Sequence, residues 1–429
     1  MLWLNGALSP RLATAPLLWL TQRATCAGGP GCSSFDGFVY EHGPFTFAAA
    51  PLEGGGAAAG GVRLARNPYA WSSVAHVVYL DSPAGVGLSY SDTAADYHTN
   101  DTATARDADA FLRALVARYP QLRLGERELY IAGESYAGIY VPNLARTVLA
   151  GNAAGAQPAL NLKGYAVGNG CTDAAFDGNA LVPFAVGKSL ISTELAAAAA
   201  AACGGGTSYW NASSGSACGA ALDEVDAVLR GLNLYDTLEE CAGRGAADTL
   251  PLPTVGRAWP LRATLPPAGS PLNNWATLGV TVPCMDTSIA VAWLNAPDVR
   301  AALHAAPVAT TGPFAMCSNA IKYTHDAGSM LPVHAALLSA GLRALVYSGD
   351  HDMCVPHTGT EAWTRALGRP VDEAWRPWHA PPSQVAGYAR TFKGGLTYAT
   401  VKGAGHTVPT YKPLQALAMF SRFLDGKRL

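Results

Sequence analysis

The sequence predicts an α/β fold with a mostly parallel central sheet and an inserted cap region. Three observations carry that reading. Short apolar runs of strand character alternate with segments of helical apolar spacing. The strand-like runs end in Gly, Asp or Ser turns, and the carboxyl ends of strands are where open α/β sheets place their chemistry. The alternation lapses in one internal stretch, between about Cys171 and Asp298, which reads as an insertion.

The strand-like runs are VAHVVYLD (Val74 to Asp81), LYIAGES (Leu129 to Ser135), LKGYAVGNG (Leu162 to Gly170), ALVYSGD (Ala344 to Asp350) and TYATVKGAGH (Thr397 to His406). TARDADAFLRALVARYP (Thr104 to Pro120) has helical spacing and stops at proline. PLQALAMFSRFLDG, near the C-terminus, starts on proline and ends on glycine, as a well-punctuated helix does. Residues 1–171 form the first part of the core, 172–298 the cap, and 299–429 the second part of the core. The cap holds an alanine run (Ala196 to Ala202), a loop from Cys203 to Cys218, a helix-like ALDEVDAVLRGL, and an exposed Pro/Gly/Arg-rich linker over about 242–273.

At 429 residues and 49% hydrophobic content the chain has ample material for a large core. A net charge of −2 gives no footing for a nucleic-acid partner, which needs a clustered basic surface. No apolar run reaches the roughly 18 residues of a membrane span. Nine cysteines without a CxxC pair argue against zinc knuckles and thioredoxin-like sites. With sequons at Asn100 (NDT) and Asn211 (NAS), they lean toward an oxidising, secretory compartment, extracellular or vacuole-like. Neither a cofactor nor a metal is expected: His351, Asp352 and His357 make a poor ligand set, and GKS at Gly187 lacks the first glycine of a phosphate loop.

AGESYAG (Ala132 to Gly138) is the sharpest chemical signal. A strand runs into a serine with small residues two places away on either side, Gly133 and Ala137, and a helix follows. That is how an α/β-hydrolase exposes a nucleophile beside the N–H groups of a helix N-terminus. The glycine expected two places after the serine falls one place late, with Ala137 in its slot. A serine needs a base, and the base an orienting acid, in the chain order Ser, Asp or Glu, His. SGDHDMCVP and GAGHTVP supply them at strand ends, giving Ser135, Asp352 and His406.

At these motifs the chain resembles the serine carboxypeptidases of the plant type. GGPGCSSFDGFVYEHGP, DSPAGVGLSYS, GESYAGIYVP, SGDHDMCVP and GAGHTVPTYKP carry the resemblance, in the family's order from about Gly28 to the C-terminus. It implies an α/β-hydrolase fold, Ser135 as nucleophile, His406 as base, and Asp352 rather than Asp350 as the acid. It also implies an oxyanion hole from the N–H groups of Gly29 and Tyr136. The substrate would be a peptide or protein with a free C-terminus. Its carboxylate would be held by Glu41 and Glu134, sharing a proton, together with Asn5 and Gly28. Best activity in acid follows from that shared proton. An acyltransferase of the same family, a general esterase and a catalytically impaired product stand as alternatives, and a homodimer is left open.

The resemblance pairs Cys32 with Cys317, Cys203 with Cys218, and Cys241 with Cys284, leaving Cys26, Cys171 and Cys354 over. Cys354, two residues from Asp352, is either a mercurial-sensitive thiol or a buried inert one. The linker resembles one that some relatives lose to give two disulfide-held chains.

The opening stretch departs from the family. Its motif is an unbroken W-L-N-G-G-P-G-C-S-S, and deleting Ala7 to Gly28 here restores it letter for letter. The expectation is that residues 7–28 are translated intron and that Met1 is an internal methionine of a truncated gene. The alternative is that PLLWL (Pro16 to Leu20) takes over the strand.

Overall fold

The computed structural model describes residues 17–24, 30–48, 62–120, 126–213, 215–240, 286–318, 320–382 and 384–429. Its main sheet is built from β1 (Leu17–Ala24), β4 (His76–Tyr79), β6 (Leu129–Ser135), β7 (Leu162–Gly168), β9 (Arg343–Gly349), β10 (Val371–Ala380), β11 (Gln384–Phe392) and β12 (Leu396–Val401). They lie side by side as β10-β11-β12-β9-β7-β6-β1-β4. Pairings from β12 through β4 are parallel, and β10 and β11 add an antiparallel flank. Two small sheets stand apart: β2 (Phe45–Ala48) with β3 (Arg63–Arg66), and β5 (His98–Asn100) with β8 (Lys322–Thr324).

The strand period of two sorts side chains onto two core faces. Along β6, Leu129 and Ile131 enter one apolar cluster while Tyr130 and Ala132 enter the other. β7 and β9 do the same, with Tyr165, Val167 and Val346 on the first face and Ala166, Leu345 and Tyr347 on the second. Strands buried on both faces read as continuous apolar runs, which is why these were legible in the sequence.

Helices cover both faces. α1 (Asp101–Arg118) and α2 (Ala137–Ala153) pack on the first face. The side chain of Asn100, half-buried, caps α1 by accepting a hydrogen bond from the Ala103 N–H at 2.7 Å. The other proposed glycan site, Asn211, is exposed. After β7 come α3 (Ala174–Gly178), α4 (Leu181–Gly187), α5 (Thr193–Ala202) and α6 (Ala217–Leu229). α4, α5 and α6 share an apolar cluster of their own, which Met353 joins. The alanine run falls within α5, where Ser192 caps the helix.

α7 (Ser288–Asn295), α8 (Pro297–Ala302) and α9 (Val308–Thr311) return toward the second face, where Trp293 packs against Phe45 and Phe47. α10 (Leu331–Ser339), α11 (His357–Ala366), α12 (Val408–Tyr411) and α13 (Pro413–Leu424) complete the chain. Trp71 stacks on Phe420 of α13 with ring centroids 4.0 Å apart. No helix of the described residues is long and apolar enough to cross a membrane.

Residues 17–24, within the stretch set apart in the sequence as an insertion, run as strand β1 between β4 and β6. Linker residues 242–273 and the pair Cys241 and Cys284 lie outside the described residues.

Candidate active site

Four neighbouring strands end at one edge of the sheet, and each supplies part of the site: β6 ends on Ser135, β7 leads to Asn169, β9 to Asp352 and β12 to His406. Ser135, Asp352 and His406 are all fully buried, each at 0% exposure. Such burial strengthens every charge interaction among them.

Ser135 has φ +65°, a left-handed conformation that a non-glycine residue adopts only under constraint. The constraint is visible. Its carbonyl accepts a hydrogen bond from the Cys171 N–H at 3.0 Å, and α2 begins two residues later. The late glycine has a reason too: a Cβ on Gly138 would stand 2.0 Å from the Cys171 carbonyl oxygen. The glycine is needed where the helix passes the β7 loop, while Ala137 has room for its methyl group.

His406 Nδ1 lies 2.8 Å from Asp352 Oδ2. The same carboxylate accepts from the Asn169 side-chain amide at 2.7 Å, from the Cys354 N–H at 2.8 Å and from the Val355 N–H at 3.1 Å. A carboxylate so surrounded by donors is fixed in orientation and cannot rotate. Asn169 was not singled out in the sequence. It sits at φ +40°, and its Oδ1 accepts from the Gly349 N–H at 3.1 Å, locking the β7 and β9 loops together. An Asn just past a strand was the available signal, but it reads equally as a turn residue. Asp350 has a different job: it accepts from the Gly403 N–H at 2.7 Å and stands near Lys188.

The segment after α6 reaches this edge as well. The Tyr235 carbonyl accepts the His406 N–H at 2.6 Å, and the two rings meet edge to face at 5.1 Å. The donor atoms of Asp352, Cys354 and His406 lie within 4.8 Å of one another. Cys354 is disulfide-bonded, however, so its sulfur offers no thiolate to a cation. That bond also corrects the expectation of a free or mercurial-sensitive thiol at Cys354. The partner is outside the described residues. Cys171 is free and buried, with its thiol pushed well above the usual range by burial.

Glu41, at the end of the turn Gly37–Glu41, and Glu134, beside Ser135, line one small cavity of about 30 Å³ with Tyr79, Tyr347 and His42. Burial and then the nearby Glu134 and Glu41 push the Tyr347 phenol well above its ordinary range. Burial holds the His42 imidazole neutral, with its pKa lowered to about 3. Asn5, Gly28 and Gly29 lie outside the described residues.

The loop that follows Gly29 is fixed by Asp81. Its Oδ1 accepts from the Ser33 hydroxyl at 2.5 Å and the Ser34 N–H at 2.9 Å, and its Oδ2 from the Leu88 N–H at 2.9 Å. Two motifs distant in sequence are thus joined through one buried carboxyl. The disulfide Cys32–Cys317 ties the same loop from the other side, and Cys203–Cys218 closes the loop between α5 and α6.

Asp177, on α3, steadies the segment behind Ser135. Its Oδ2 accepts from the Thr172 N–H at 2.7 Å and the Asp173 N–H at 3.0 Å. Its Oδ1 is buried without a hydrogen-bond partner among the described residues. Burial raises its pKa to about 7. Between the ordinary carboxyl value and about 7 the folded protein therefore holds a proton that the unfolded chain has released. Stability must fall as pH rises through that window. Asp177→Asn keeps the accepting oxygen and removes the titration. It is expected to flatten the decline, raising stability at pH 7 by about 2–4 kcal/mol relative to its effect at pH 4. Urea unfolding at the two pH values measures this, and a change independent of pH would count against it.

Comparison with known proteins agrees with the geometry. The serine carboxypeptidase family profile matches residues 10–426. Serine carboxypeptidase 1 of Hordeum vulgare is 48% identical over 436 residues, covering 96% of this chain and 84% of that protein. Serine carboxypeptidase-like 21 of Arabidopsis thaliana is 45% identical, covering 100% of this chain and 88% of that protein. The crystal structure of Kex1(Δ)p, a prohormone-processing carboxypeptidase from Saccharomyces cerevisiae, superposes with a TM-score of 0.69. It shares 20% identity, and the match covers 99% of this chain and 86% of that one. That likeness supports the α/β-hydrolase fold. With motif order, strand-end geometry and whole-length similarity in agreement, the chain belongs to the serine carboxypeptidase family.

Proposed function

We propose that the protein is a serine-type carboxypeptidase that removes the C-terminal residue of peptides and proteins. The observation that carries this reading is the 2.8 Å contact of His406 Nδ1 with Asp352, at the same sheet edge as the strained Ser135. Ser135 Oγ attacks the last peptide carbonyl while His406 takes its proton through Nε2. Asp352 keeps the other ring nitrogen protonated and stabilises the imidazolium. The tetrahedral oxyanion is received by the N–H groups of Tyr136 and Gly29. The intermediate collapses, the leaving amine takes the proton from His406, and water then releases the acyl group by the same steps in reverse order.

Glu41, Glu134, Asn5 and Gly28 bind the substrate carboxylate, the two glutamates sharing one proton. Activity is accordingly best in acid. Cys32–Cys317 and Cys203–Cys218 favour folding in the secretory pathway, with a vacuolar or extracellular destination and glycans at Asn100 and Asn211.

The test is incubation with a free-acid peptide at acid pH, followed by mass spectrometry. Loss of residues one at a time from the C-terminus, abolished by a fluorophosphonate that labels Ser135, is expected. Transfer of an acyl group to an added alcohol without peptide cleavage would assign the acyltransferase reading instead.

A further inference from the structure

Behind the nucleophile turn, on the side of α1, lies a group of buried polar side chains that the proposed reaction does not itself use. Tyr136 follows Ser135 directly, and its ring is only 4% exposed. Its hydroxyl donates to Asp101 Oδ1 at 2.7 Å and also meets His325 Nδ1. Since the phenol gives its proton to the carboxylate, the network assigns the Nδ1 proton of His325 to the phenol oxygen.

Asp101 is 1% exposed. Beyond Tyr136 it accepts from the Tyr323 hydroxyl at 3.0 Å, the Asp326 N–H at 2.8 Å and the Ala327 N–H at 3.0 Å. None of these four donors is a Lys or Arg, so the carboxylate is buried without a cation among them. Such a group costs free energy unless its donors are fixed. They are fixed from both sides: β5 pairs with β8 just before the network, and the Thr102 N–H donates to Asp326 Oδ1 at 3.0 Å. The far end of the Tyr136 ring is thus held by a rigid anchor, while its near end begins α2.

We propose that Asp101 is a positioning residue which, through the Tyr136 hydroxyl, sets the backbone N–H of Tyr136 where the oxyanion forms. The proposal rests on the reading of Tyr136 as an oxyanion donor. Donors of this kind act only on the charge that develops in the transition state, and small misplacements are costly. Losing the anchor therefore lowers kcat and leaves KM in place. A role in packing alone would leave Tyr136→Phe, which keeps the ring, without effect on turnover.

The experiment compares Asp101→Asn, Tyr136→Phe and the double variant with the unaltered full chain. It measures kcat and KM on a free-acid peptide, and the affinity of two ligands. One is a peptide aldehyde, whose serine adduct carries the oxyanion; the other is the matching peptide alcohol, whose terminal CH2OH forms no adduct and carries no charge. Each single variant is expected to lose about 10-fold in kcat and a similar factor in aldehyde affinity, with KM and alcohol affinity within about twofold. The double variant is expected to be no worse than either single one, since both break the same link. Turnover within twofold of the unaltered protein in either variant, additive losses, or equal weakening of both ligands would overturn the proposal. If Asp101→Asn does not fold, Tyr136→Phe carries the same comparison. A Ser135→Ala variant that stays active would defeat the reading of the whole site. An inactive Ser135→Ala beside a fully active Asp101→Asn would defeat the positioning role alone.

Discussion

Replacing Ser135 with Ala is expected to lower kcat by about 10³-fold or more while leaving the fold intact, and Asp352→Asn or His406→Ala to do the same. The three losses should not add, because each residue works only through the others. For Asp352→Asn the reason is specific. The carboxylate that meets His406 Nδ1 also accepts from Asn169, Cys354 and Val355. An amide in its place would direct a donor at one of these donors or at the imidazole N–H, and the imidazole would turn to the wrong tautomer. Ser135→Ala removes one oxygen from a position whose backbone is held at φ +65° by its neighbours, so thermal stability should change little or improve slightly. Turnover on a free-acid peptide, with a melting curve for each variant, is the measurement. Near-normal turnover in any one variant would remove that residue from the triad.

Much of this site was legible in the sequence because the fold writes it in two simple signals. Parallel strands buried on both faces appear as apolar runs, and LYIAGES corresponds to β6 from Leu129 to Ser135 without adjustment. Chemistry at their carboxyl ends appears as Gly, Asp or His just past each run. What the sequence hid falls into two kinds. Residues that act through backbone geometry, such as Asn169 bridging two loops, leave only the generic mark of a turn. The hairpin of β10 and β11 was missed because most of the β10 side chains are exposed or half-exposed, with little apolar alternation. Contacts between distant segments were hidden as well. Asp81 under Ser33, Asp101 under Tyr136 and the disulfide state of Cys354 depend on how the chain returns on itself, which no local pattern encodes.

The second large effect tests the proposal that the cavity lined by Glu41 and Glu134 binds the substrate carboxylate. Among the described residues, the cavity shared by Glu41 and Glu134 has no Lys or Arg in its lining. Its one imidazole, His42, has its pKa lowered to about 3 by burial, and the hydroxyl of Tyr79 stands 2.9 Å from its Nδ1. No described lining side chain therefore supplies a positive charge above about pH 3, and a carboxylate bound among them would be held by hydrogen-bond donors. A glutamate pair that keeps one proton is such a donor, and the bond it makes to an anion is of the strong, charge-assisted kind. A peptide whose C-terminus is an amide cannot accept that bond as an anion does. It is expected to be cut about 10- to 100-fold less efficiently in kcat/KM than the free acid in acid solution, the factor corresponding to about 1.5–3 kcal/mol. As pH rises and the pair loses its proton, two carboxylates would face a third. KM for the free acid should climb while the amide is little affected, so the preference narrows. Glu134→Gln breaks the proton sharing. It should weaken free-acid cleavage mainly through KM and shift the pH dependence, because an amide donor neither ionises nor gains a proton. Steady-state kinetics on matched free-acid and amidated peptides across pH 4 to 8 measure all three effects. Equal rates on the two peptides in acid would mean that these glutamates do not recognise the C-terminal carboxylate.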